Sequence, residues 1–156
     1  MPKPKLNLCA AEWTFTGHPS ESDERSMDRK TQEAKEAGFA GFSAGPSPTT
    51  VQACQKSGLT LVGMVDIGSI EEVKAKLDRL RDTGCVHVNV QLCDHDTPTS
   101  EAVEVALAAI QYGESMGLKP AIEWHRDTAT ETPEKGLALI DEYKRRYDKT
   151  LCVNFD

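Results

Sequence analysis

Four times in 156 residues the chain repeats one boundary: an amphipathic stretch, a glycine, and an apolar run starting within a residue or two. The boundaries are Lys35-Glu36-Ala37-Gly38-Phe39, Gln55-Lys56-Ser57-Gly58-Leu59, Arg81-Asp82-Thr83-Gly84-Cys85 and Glu114-Ser115-Met116-Gly117-Leu118. A glycine suits the position just past a helix, where a left-handed backbone is easy without a β-carbon. Each is therefore expected to close a helix and open a strand, so that the two alternate along the chain.

The spacing of apolar residues predicts where these elements lie. Ile70, Val73, Leu77 and Leu80 make one face of a helix opened by a capping box from Ser69 to Glu72, and Val103, Ala106, Leu107 and Ile110 make one face of the next. A third starts at Thr132 and Pro133, with proline at its first position, and is expected to bury Leu137, Ile140 and either Tyr143 or Tyr147. Two shorter helices fall at 28–37 and 50–57. Strands are expected over 6–12, 39–44, 59–66, 86–92, 118–124 and 151–155.

Six strands alternating with five helices mean an α/β protein with a parallel sheet and right-handed crossovers. Side-chain alternation separates a barrel from an open doubly wound sheet. In 86–92 the valines and leucine take one face while His87, Asn89 and Gln91 take the other. Likewise Ile122 and Trp124 oppose Ala121, Glu123 and His125, and Val153 and Phe155 oppose Cys152, Asn154 and Asp156. A sheet covered on both faces would want apolar residues on both, so a TIM-barrel-type (β/α) wall is expected. Six strands cannot close an eight-stranded barrel. The chain 1–156 therefore reads as one partial barrel domain, the amino-terminal part of a roughly 250-residue unit lacking strands seven and eight.

Composition narrows the function. With 38% apolar and 28% charged residues the chain has the make-up of a soluble globular protein. There is no apolar run of about 18 residues, nor one near the amino terminus suited to a signal peptide, so a cytoplasmic protein with no membrane role is expected. A net charge of −7, with Lys and Arg scattered over the helices, disfavours nucleic acid as a partner. Five cysteines without a Cys-x-x-Cys pair indicate buried thiols rather than disulfides or a zinc ribbon. Exposed sheet edges invite pairing with another chain, so a homo-oligomer is a further expectation.

Active sites of β/α barrels lie at the carboxyl ends of the strands, where Glu12, Ser43, Asp66, Gln91, Glu123 and Asp156 are placed. The fifth strand runs into Glu123, Trp124, His125 and Arg126, a carboxylate, an imidazole and a guanidinium at one tip. Glu123 and Asp156 are candidate ligands of a divalent ion, with oxygen donors suited to Mn or Mg and a nearby imidazole extending the range to Zn or Co. Glu123 is also the candidate catalytic residue. His125 and Arg126, with Gln91, Trp13 and His18 in the loop 14–22, form the candidate substrate-binding set. Arg126 could instead pair with Asp127. His87 reads as an inward core histidine and His95 as part of a polar turn.

The segment Ala121-Ile122-Glu123-Trp124-His125-Arg126-Asp127-Thr128, with Thr130 and Glu131 after it, resembles the Glu-x-His-Arg strand end of the xylose-isomerase-like β/α barrels. Glu12-Trp13-Thr14-Phe15 and Asn154-Phe155-Asp156 share the likeness. That superfamily holds sugar phosphate isomerases and epimerases, with endonuclease IV a distant relative. The resemblance implies that Glu123 and Asp156 are metal ligands, completed in such barrels by a histidine and a second glutamate from strands seven and eight. It implies a metal-dependent isomerase or epimerase acting on a small sugar substrate through an ene-diolate. An endonuclease-IV-like phosphodiesterase and a non-catalytic ligand-binding barrel fragment remain as alternatives.

Overall fold

A computed structural model of the chain describes residues 7–155. The expected start of the first strand at Leu6 and the final Asp156 lie outside the described residues. Six strands form one sheet: β1 (Cys9–Ala11), β2 (Gly41–Ala44), β3 (Thr60–Ile67), β4 (His87–Leu92), β5 (Lys119–Trp124) and β6 (Val153–Phe155). They are connected by α1 (Met27–Glu36), α2 (Pro48–Ser57), α3 (Ile70–Asp78), α4 (Thr99–Ser115) and α5 (Pro133–Tyr147). All pairs are parallel and the spatial order is the chain order, β1 to β6. Right-handed crossovers between successive neighbours never reverse, so every helix falls on the same face. The result is an incomplete TIM barrel, a parallel half-barrel.

The two faces of the sheet differ accordingly. In β3, Leu61, Val65 and Ile67 are buried beneath the helices, while Val62 and Met64 are half-buried and Asp66 is exposed. In β4, Val88, Val90 and Leu92 are buried on the helix side and His87, Asn89 and Gln91 occupy the other. His87 is exposed rather than a core histidine, because the concave face at the amino end of β4 is open. Asn89 is buried and accepts a 3.0 Å hydrogen bond from the Asn154 side chain.

Gly38, Gly58, Gly84 and Gly117 all have positive φ, between 69° and 90°, as the boundary pattern requires. Gly84 lies beyond the end of α3, which stops at Asp78 and passes through a turn first. Helix α2 begins two residues before its expected start, with Ser47 accepting from the Thr50 amide and Pro48 in the first turn. The capping box of α3 is half made: Ser69 gives no side-chain cap, and the Glu72 carboxylate accepts from the Gly68 amide instead. Strand β1 ends at Ala11, where Thr14 Oγ1 donates to the Ala11 carbonyl and Glu12 opens a 3-10 turn.

Two expected core residues face solvent. Ile70 is 50% exposed in the first turn of α3, and Leu137 is 56% exposed on α5. The reason for the second is a close approach. Gly136 seats against the Trp124 ring, where a β-carbon would come within 2.1 Å of a ring carbon, and this contact turns Gly136, Leu139 and Tyr143 inward and Leu137 out. Trp124 in turn stacks on Phe155, with ring centroids 4.9 Å apart.

Polar ties join the helices around the outside. Tyr112 of α4 donates to Asp78 of α3 at 2.8 Å, and Lys74 and Arg81 bond the same carboxylate. Arg146 of α5 bonds Glu104 of α4 and, with Arg145, Glu142. These donors hold the Asp78 carboxyl well below the usual carboxylate range and that of Glu142 at about 2.

Gly136→Ala is expected to destabilise the fold by about 2 kcal/mol, since the ring cannot retreat without disturbing β6, and urea denaturation reads this directly. On acidification both depressed carboxyls bind protons in the unfolded chain before they do in the fold. The Glu142 contribution is complete above its ordinary value of 4.5 and is lost as pH falls toward about 2, and that of Asp78 persists to lower pH. The melting temperature of Glu142→Gln should therefore fall less steeply over that window than that of the parent.

Candidate active site

At the carboxyl ends of the strands two clefts share Asp66 and Gln91 and so form one groove across the sheet. The cleft over β3 to β5, about 330 Å³, is lined by Asp66, Gly68, Gln91, Cys93 and the segment Asp94 with His125 to Thr128. The other, about 380 Å³, is lined by Glu12, Trp13, Thr16, Gly45 and Met64 along with the shared pair. The structure thus brings Trp13, Gln91, His125 and Arg126 to one groove. His18 lines neither cleft: it is exposed, and its carbonyl accepts from the Arg25 amide at 3.0 Å. Of the loop 14–22, Thr16 reaches the groove.

Glu123 sits on the concave side of β5, opposite Asn154 of β6, and is 5% exposed. Its Oε2 is buried and has no hydrogen-bond partner among the described residues. A buried carboxylate oxygen is costly unless something bonds it, which makes Glu123 a fitting hard-oxygen ligand for a divalent cation. Asp156, the other expected ligand, lies outside the described residues. Among the described residues no group of three or more His, Cys, Asp or Glu side chains is arranged to hold a metal ion.

The turn after β5 is fixed by threonines. Thr130 Oγ1 donates to the Glu123 carbonyl at 2.6 Å, Thr128 Oγ1 donates to the His125 carbonyl at 2.7 Å, and the two hydroxyls lie 3.0 Å apart. Both threonines are buried, and the Ala129 amide donates to the Leu92 carbonyl, tying the turn to the end of β4. Asp127 and Cys93 adopt left-handed backbone, at φ 60° and 54°, where non-glycine residues are strained. His125 Nδ1 lies 2.6 Å from the Arg126 carbonyl. A carbonyl only accepts, so Nδ1 carries a proton, and in the neutral tautomer with that proton Nε2 is the acceptor.

Sequence reasoning placed Asp66 at a strand end but missed its position between both clefts. It also missed Asp94, Asp127 and the two threonines. The one sequence signal was Thr128-x-Thr130 directly before the Thr132-Pro133 helix start, a run of side chains able to bond turn carbonyls.

No protein-family model matches the chain, and no curated protein matches it in sequence. Solved structures do match in fold. A D-allulose 3-epimerase from Methylomonas sp., in complex with D-allulose, superposes with a TM-score of 0.65 at 16% identity, covering 89% of this chain and 59% of that one. A xylose isomerase-like TIM barrel protein from Mycobacterium smegmatis, in complex with magnesium, gives 0.61 at 15% identity, covering 96% and 63%. A family 2 AP endonuclease from Brucella melitensis gives 0.62 at 12% identity, covering 88% and 65%. The chain thus has the fold of the xylose isomerase-like barrels and spans about three-fifths of the length of the epimerase it matches. No helix among the described residues is long and apolar enough to cross a membrane.

Cys93 lines the cleft with its thiol held in the protonated form. Burial first, then the charges of Glu101 and Glu72, push its thiol up to about 11, and burial with Glu12 does the same to Cys54. At pH 8 iodoacetamide is expected to alkylate Cys93 at least about tenfold more slowly than free cysteine, read by peptide mass spectrometry.

Proposed function

We propose that the chain carries the first six strands and five helices of a divalent-metal-assisted sugar isomerase or epimerase. The observation that carries this reading is the buried Glu123 carboxylate, with its unpartnered oxygen, at the same strand end that presents His125 and Arg126 to the groove. The D-allulose bound to one protein of the same fold and the magnesium bound to another support it. Glu123 and Asp156 would hold the ion, which could be Mn, Mg, Zn or Co, with further donors from outside the described residues. When bound, it would polarise the substrate carbonyl and so ease removal of the neighbouring C–H proton.

The chain's own groups then do the following. Glu123 takes that proton, and the C–H electrons pass into the ene-diolate. Return of the proton to the neighbouring carbon, with the hydroxyl proton passing from one substrate oxygen to the other, interconverts aldose and ketose, whereas delivery to the opposite face of the same carbon by a second acid epimerises the centre. His125 Nε2 accepts from a sugar hydroxyl, while Arg126 and Gln91 donate to substrate oxygens and set the ring of contacts. Trp13, 61% exposed at the far end of the groove, offers an apolar surface to the carbon skeleton.

The AP endonuclease of the same fold keeps a phosphodiesterase as the second reading. The acids that line the groove oppose a phosphate backbone, and incision of abasic DNA would replace the sugar reading. Under the sugar reading, Mn²⁺ or Mg²⁺ raises the melting temperature of the parent chain and leaves that of Glu123→Gln unmoved. Ketose turnover, followed by chromatography of the sugars, falls by about 100-fold or more in the same variant. The metal-free variant should melt no lower than the parent, because the substitution removes a buried acid whose Oε2 has no partner among the described residues.

A further inference from the structure

Building on that reading, we infer that the groove selects uncharged polyhydroxy carbonyl compounds over their phosphate esters, with Asp66 as the specificity-determining residue. Asp66 is exposed on the concave side of β3, borders both clefts, and has no cation within ion-pair distance among the described residues. Glu12 flanks it on one side, Asp94 and Asp127 on the other. Against these four carboxylates the described lining offers one permanent cation, Arg126, and His95 Nδ1 lies 2.5 Å from Asp94.

Three backbone donors near the cleft, the Gly68, Asp94 and His95 amides, are already taken by side chains. The Gly68 amide lines the cleft just ahead of α3, where a helix start would normally present free N–H groups to a phosphate. Here the Glu72 carboxylate already occupies it at 2.9 Å. The Asp94 amide donates to Thr97 Oγ1 and the His95 amide to Asp94 Oδ1, so these two donors of the next loop are taken as well. A phosphate monoester would bring a charge of about −1.5 to −2 into this field. Sugar hydroxyls suit the same carboxylates, because an ionised carboxylate only accepts and each hydroxyl can donate to it.

The test is calorimetric titration of the full chain, loaded with Mn²⁺, with D-fructose and with D-fructose 6-phosphate at about 20 and about 300 mM NaCl. Fructose is expected to bind at least about tenfold more tightly than its ester, with little response to salt, while the ester gains affinity as salt rises. Asp66→Asn, an exposed position whose change leaves the core untouched, should narrow the ratio by at least about threefold. The ester binding as tightly as fructose, or a ratio unmoved in Asp66→Asn, overturns this inference and leaves the sugar reading standing. Binding of neither compound overturns both.

Discussion

The structure depends on the one-sided cover of its sheet. Because successive strands are always neighbours and each crossover has the same hand, no helix can reach the concave side. Phe42, Leu61, Ile67, Val88, Val90, Leu92 and Ile122 are thereby sealed under helices, each fully buried large side chain contributing about 1.5 to 3 kcal/mol. The period of two then sends the intervening residues to the open face. A slip of one residue in any strand would exchange these sets and place Asp66, Asn89 or Glu123 under the helices. The burial that stabilises the sheet therefore also aligns the polar side chains along the groove.

Most of this was legible because it is local. The glycines at 38, 58, 84 and 117 demanded a left-handed backbone whatever surrounded them, and each adopts one. Alternation in β4 and β5 told the covered face from the open one, and counting to the end of each strand led to Gln91, Glu123 and the His125-Arg126 tip. What escaped depends on contacts between elements. The rotation of α5 is decided by Gly136 against Trp124, and nothing in helical spacing ranks that contact above burial of Leu137. The position of His18 depends on the path of a loop whose carbonyls are bonded from elsewhere, and the role of Thr128 and Thr130 depends on a turn that their own hydroxyls close.

The surroundings of Glu123 carry the argument for chemistry at this end of the sheet. Its backbone carbonyl is bonded by Thr130, and its neighbours Asn89 and Asn154 satisfy each other. These groups are bonded, while the carboxylate Oε2 beside them is buried without a partner among the described residues. Such an arrangement costs stability, and a sequence selected only to fold would place Gln or an apolar residue there. Tyr147 Oη is the other buried polar atom without a partner among the described residues, but it lies on α5, whereas Glu123 stands at the carboxyl end of the sheet, where a costly group marks a position kept for something other than folding. The strained backbone at Cys93 and Asp127 lies just past the ends of β4 and β5, and both residues line the same cleft. A buried carboxylate oxygen without a partner among the described residues and two of the strained turns therefore lie near the strand end that presents His125 and Arg126.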